Sequence, residues 1–121
     1  MKYKRQASQI LFTDLIESSF RNGNAEQLKS FLSDELELVI DSEKVNFNKI
    51  SKDHAGFILT SFFKKNPPVK FAYVYQGQTP EKLKYSVGNY QTTNKEFIIY
   101  MLLSESKKGD PLIKKLQFRE N

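Results

Sequence analysis

Lys95–Ser104 reads KEFIIYMLLS, the longest apolar run in a chain of 121 residues. In an extended conformation its side chains alternate between faces, so Phe97, Ile99, Met101 and Leu103 point one way and Ile98, Tyr100 and Leu102 the other. Both faces are apolar, and the first half is β-branched and aromatic, the composition of a strand covered on both sides. Periodicity alone also fits a buried helix, so the flanks decide. Thr92-Thr93-Asn94 before the run and Lys107-Lys108-Gly109-Asp110-Pro111 after it are turn formers, and they leave a span of strand length. The run reads as the middle strand of a sheet.

Its neighbours follow the same pattern. Val69–Gly77, Leu83–Gln91, Glu96–Ser104 and Leu112–Arg119 read as four successive strands separated by short polar turns containing Pro80, Asn94 and Gly109-Asp110-Pro111. Four strands in succession imply an antiparallel meander. In the last of them Ile113 is out of phase with Leu116 and Phe118, which predicts a β-bulge near Lys114-Lys115.

The N-terminal half is helical in pattern. From Gln9 to Phe20, Leu11 spaces with Leu15, and Phe12 with Ile16 and Phe20, as on one face of a helix. Gly23 suits the left-handed position past its end. Asn24, with Gln27 three residues on, resembles a capping box opening a short second helix with Leu28, Phe31 and Leu32 as its buried stripe. Glu35–Ile40 alternates as a half-exposed strand. Asp41–Ile50 is polar and fits either a loop or a short strand anchored by Val45 and Phe47. Ser51 opens a third helix, with Asp53 in its first turn and Lys64-Lys65 in its last, each matching the helix dipole. Its stripe is Ala55, Ile58, Leu59, Phe62 and Phe63, and Asn66-Pro67-Pro68 stops it. The order helix, helix, strand, helix and four strands describes an α+β domain with helices on one face of a curved antiparallel sheet. The length predicts one domain over residues 1–121.

Composition narrows function. The chain has no Cys and one His, so neither a disulfide framework nor a His/Cys metal centre is expected, and no cofactor signature is present. The formal charge is +5, but the lysines are scattered in pairs, which disfavours nucleic acid as partner. No apolar run is long enough to span a membrane, and Met1–Ser8 is not followed by an apolar signal core. The expectation is a soluble chain, cytoplasmic as given or exported if a leader has been removed.

Several patterns resemble a bacterial family of unknown function with the nuclear-transport-factor-2-like, or cystatin-like and ketosteroid-isomerase-like, fold. They are Arg21-Asn22-Gly23-Asn24-Ala25 with Leu28, Ser51-Lys52 with Ala55, Phe62-Phe63, Tyr75-Gln76-Gly77, Tyr85-Ser86-Val87-Gly88 and Leu116-Gln117-Phe118. The resemblance implies a cone-shaped architecture, in order α-α-β-α-β-β-β-β, with a pocket open at one end. It also implies relatives that carry export signals and that dimerise through the outer sheet face. Tyr75 stands where the family favours His, and His54 where it favours Gln, so neither inherits a catalytic role.

Catalytic relatives in that superfamily, the ketosteroid isomerases and scytalone dehydratase, set a buried carboxylate or His beside Tyr or Asp donors. An apolar cavity strengthens each of those interactions. Asp41, at a strand end, is the carboxylate closest to such a cavity, although a strand-end Asp beside Ser42 is more often a turn former. His54 lies one turn from Ile58 and could line the pocket, but the positive end of its helix disfavours imidazolium. Tyr73 and Tyr75 are expected to share a face with Phe71, with Tyr85 on the neighbouring strand; such tyrosines suit an amphipathic ligand, a protein interface or plain packing. The reading is a non-enzymatic domain that binds a small apolar or amphipathic molecule or a peptide, or serves as an interaction module. The alternative is an isomerase- or lyase-like enzyme. Because helices cover only one sheet face, a homodimer through Ile98, Tyr100 and Leu102, or through the opposite set, is expected, the alternative being an N-terminal segment folded across that face.

Overall fold

In the computed structural model, which describes residues 2–80 and 83–121 and side chains from Phe12 onward, helix α1 runs over Lys2–Asn22. Ile16 and Phe20 are buried and Phe12 and Leu15 pack at the margin of the core, while the Leu11 side chain lies outside the described residues. Gly23 takes a left-handed φ of +62°. Asn24 then caps α2, Ala25–Lys29, its side-chain oxygen accepting from the Gln27 amide at 3.0 Å. The expected second-helix stripe ends early. Leu32 opens strand β1, Leu32–Ile40, because the Phe31 carbonyl already accepts from the Ile113 amide and Leu32 pairs with Ile113.

After a 3-10 turn at Asp41–Glu43, the polar segment that fitted loop or strand forms β2, Val45–Ser51, antiparallel to β1. Ser51 caps α3, Lys52–Lys65, accepting from the His54 amide at 3.2 Å. Strands β3 (Lys70–Gln78), β4 (Lys84–Gln91), β5 (Glu96–Glu105) and β6 (Pro111–Glu120) form the expected antiparallel meander. The whole sheet has the order β2-β1-β6-β5-β4-β3, and β1 runs parallel to β6, so the sheet is mixed where the sequence suggested a purely antiparallel one. That pairing joins segments some eighty residues apart in sequence, as in Leu32 with Ile113, and no local pattern reports it. The bulge expected in β6 is present. Leu102 pairs with Lys115 and Leu103 with Ile113, leaving Lys114 as the extra residue, its ammonium donating to Ser33 Oγ at 3.1 Å.

The core fills the space between the helices and the inner sheet face. From β5 it takes Phe97, Ile99, Met101 and Leu103; from β6, Ile113, Leu116 and Phe118; from α3, Ala55, Leu59, Phe62 and Phe63. The aromatic rings meet mostly edge to face, Phe62 lying 4.6 Å from Phe118 and 5.1 Å from Phe97, centroid to centroid.

Tyr90 is wholly buried among them, and its hydroxyl donates to the carbonyl of Asn66 at the end of α3. Burial pushes its pKa above the ordinary tyrosine value of 10.0. A folded-state pKa raised in this way gives stabilisation that is complete below the unfolded value and is lost as pH rises through the folded one. Circular dichroism should therefore show alkaline unfolding setting in above about pH 10, with Tyr90→Phe shifting that transition upward. At neutral pH the same variant should cost roughly 1–3 kcal/mol, since it orphans the Asn66 carbonyl. An unchanged alkaline midpoint would show that Tyr90 does not control the transition.

Candidate functional site

Among the described residues, the interior of the cone holds a cavity of about 60 Å³, lined by residues that include Phe12, Ile16, Tyr73, Gln76, Met101 and Leu103. Ligand pockets ordinarily enclose roughly 300–1,000 Å³. The Tyr73 hydroxyl donates to the Thr13 carbonyl at 3.2 Å. Its pKa is pushed up, by burial first and then by the Glu17 and Asp14 carboxylates.

Of the other residues singled out from sequence, none lines this cavity. His54 is exposed, its ring 5.8 Å from that of Phe47 at the β2 edge. Near the apolar stripe in sequence, it projects outward because the first turn of α3 stands at the rim of the sheet. Asp41 is also exposed, opening the 3-10 turn, with a carboxylate oxygen 4.0 Å from Arg119 Nε. It is a turn residue.

Tyr75 does not share a face with Phe71 and Tyr73. Tyr73 pairs with Gly88 but Tyr75 pairs with Val87, so Val74 is an extra residue that reverses the alternation. Tyr75 therefore lies on the outer face, 57% exposed, its ring crossing Gly77 to meet Tyr85 edge-on at 6.1 Å. A Cβ at Gly77 would collide with the Tyr75 ring. The Tyr75-Gln76-Gly77 pattern is thus a packing device: the glycine makes room for the tyrosine to lie along the sheet.

This reversal assembles a surface on the outer face. One row of paired residues across the sheet is Tyr75, Val87, Tyr100, Gln117 and Val39; the next is Gly77, Tyr85, Leu102, Lys115 and Glu37; the third includes Asn89, Ile98 and Arg119. Its β3–β5 half is largely apolar and half open to solvent. Its β6–β1 half is charged, with Lys115 3.3 Å from Glu37 and Arg119 near Asp41. Between the halves lies a groove of about 440 Å³ lined by Thr79, Tyr85, Tyr100, Leu102, Lys115, Gln117 and Arg119, with Met101 at its floor. Ile98, Tyr100 and Leu102, expected on this face, are there. Lys115, Gln117 and Arg119 were not named as site residues from sequence, yet once the β6 bulge is placed, their alternation with Leu116 and Phe118 sends them outward. At the end of the face, hydrogen bonds from Asn121, Gln91 and Asn89 hold the Glu96 carboxyl below its usual pKa.

The family model described as Domain of unknown function (DUF4783) matches residues 13–119. The chain belongs to this family. Two DUF4783 proteins of known structure are similar to it throughout. One, from Bacteroides ovatus, is 21% identical with a TM-score of 0.79, the match covering 88% of this chain and 93% of that one. The other, from Bacteroides fragilis, is 20% identical with a TM-score of 0.80, covering 88% and 96%. Beyond the DUF4783 family, an NTF-2-like protein of unknown function from Silicibacter pomeroyi is 10% identical with a TM-score of 0.69, covering 100% and 99%. These likenesses establish the α+β nuclear-transport-factor-2-like fold. No protein in the curated set matches the chain. Among the described residues, no helix is long and apolar enough to cross a membrane.

Proposed function

We propose that this DUF4783 chain is a non-enzymatic interaction domain, a single unit over residues 1–121, that works through the outer face of its sheet with a second copy of itself as partner. The observation that carries this reading is the contrast between the two faces of β5. Phe97, Ile99, Met101 and Leu103 are buried by the helices, whereas Ile98, Tyr100 and Leu102 remain half open beside Val87, Tyr85 and the exposed Tyr75. A contiguous apolar sheet face is costly to leave in water; burial from full exposure is worth about 1.5–3 kcal/mol per large side chain, and these half-open ones return roughly half of that. A self-complementary two-fold contact covers it on both copies at once. An isomerase- or lyase-like reaction inside the cone has less support, since the cavity there is about 60 Å³ and neither Asp41 nor His54 lines it.

Sedimentation across a concentration series tests the proposal. A dimer is expected at micromolar concentration, and Tyr100→Glu should convert it to a monomer with an unchanged far-ultraviolet spectrum, because the side chain lies outside the core. A wild-type protein that stays monomeric at high micromolar concentration would overturn the self-association.

A further inference from the structure

The outer groove differs from the rest of its face in having two chemically distinct walls. Tyr85, Tyr100 and Leu102 supply rings and aliphatic carbon, while Lys115, Gln117 and Arg119 supply donors and positive charge; among the described residues no carboxylate lines it. Glu37 and Asp41, which approach the two cations, stand beside them on β1 and the following 3-10 turn, on the side away from Tyr85 and Leu102. The Arg119–Asp41 contact is long, 4.0 Å and through Nε, so the terminal guanidinium nitrogens keep donors for another acceptor. At about 440 Å³ the groove has room for a small molecule.

We propose that this groove binds a small amphipathic organic anion, one apolar chain or ring ending in a carboxylate, with the apolar part on Tyr85, Tyr100 and Leu102 and the carboxylate on Arg119 and Lys115. The assignment rests on the outer face being the working surface and concerns the released protomer, because a second copy seated on Tyr85, Tyr100 and Leu102 competes with the ligand for the groove. Charge complementarity selects the anion, because the lining is cationic on one side and uncharged on the other. An extended peptide fits less well. It would add to a free strand edge, whereas β4, β5 and β6 here have their backbones paired on both sides. A bilayer surface would engage a protruding apolar patch, not a concave one with its cations at the wall.

Sodium octanoate and its neutral counterpart octanol, titrated into isotope-labelled protein and followed by amide chemical shifts, test this. The protein is diluted until sedimentation gives monomer; if dilution does not release it, the pair Val87→Asn with Ile98→Asn, outside the groove lining, is used. Octanoate should move the amides of Tyr85, Leu102, Gln117 and Arg119 and bind about tenfold more tightly than octanol, the worth of one charge-assisted contact at a half-open site. Arg119→Gln should remove most of that tenfold preference and leave octanol binding unchanged. Equal affinity for the two probes, shifts confined to the cone mouth around Phe12 and Gln76, or an Arg119→Gln variant that keeps the preference would each overturn the assignment. A strictly monomeric protein that binds octanoate in the groove overturns self-association alone; a dimer whose released protomer ignores octanoate overturns the ligand alone.

Discussion

Phe62→Ala is expected to lower the free energy of unfolding by roughly 3–5 kcal/mol, the range for deleting a buried Phe. Phe62 is 1% exposed and its ring meets those of Phe63, Tyr90, Phe97 and Phe118, so it joins α3 to three strands at once. Tyr90, Phe97 and Phe118 come from β4, β5 and β6, which are fixed to one another by the sheet ladder, so they have little freedom to collapse into the space left. The cavity term should therefore add fully to the transfer term. Urea denaturation of the variant beside the wild type, with equal slopes, measures the difference. A loss under about 1 kcal/mol would mean that the α3–sheet contact does not organise the core.

Gly88→Ala should cost roughly 1–3 kcal/mol through overpacking, whereas Gly77→Ala, the same change one register pair from the strand end, should cost well under half as much. At both positions a Cβ would strike an aromatic ring. At Gly88 that ring is Phe71, which is buried and stacked on Phe20 at 4.8 Å with Tyr73 on its other side. It has nowhere to go. At Gly77 the ring is Tyr75, which is more than half exposed and can swing into solvent. Denaturation midpoints for the two variants check the order, and a Gly88→Ala protein as stable as wild type would show that Phe71 can leave the inner face.

Most of the architecture is written locally. The run KEFIIYMLLS, the Asn24 and Ser51 caps, the Pro67-Pro68 stop and the break of alternation at Lys114 each act over a few residues, through side-chain direction, capping hydrogen bonds and turn sterics. Each of those readings matches an observed element. The β6 bulge was legible because the apolar phase visibly slips between Ile113 and Leu116. The β3 bulge was not. Phe71, Tyr73 and Tyr75 alternate without a flaw, and only their pairing with Gly88 and Val87 reveals that Val74 is the extra residue.

That one displaced residue decides on which face Tyr75 lies. Sequence by itself determined the helices and the meander and the two apolar faces of β5, because these follow from the two-residue and 3.6-residue periods of the backbone. The tertiary structure decided the rest. It ran β1 parallel to β6, filled the cone with Phe20, Phe62, Phe71 and Tyr90, sent His54 and Asp41 to the rim, and turned Tyr75 outward beside Tyr85. Pairing between distant strands and packing among side chains from separate elements depend on register and volume, and neither quantity is carried by any single stretch of the chain.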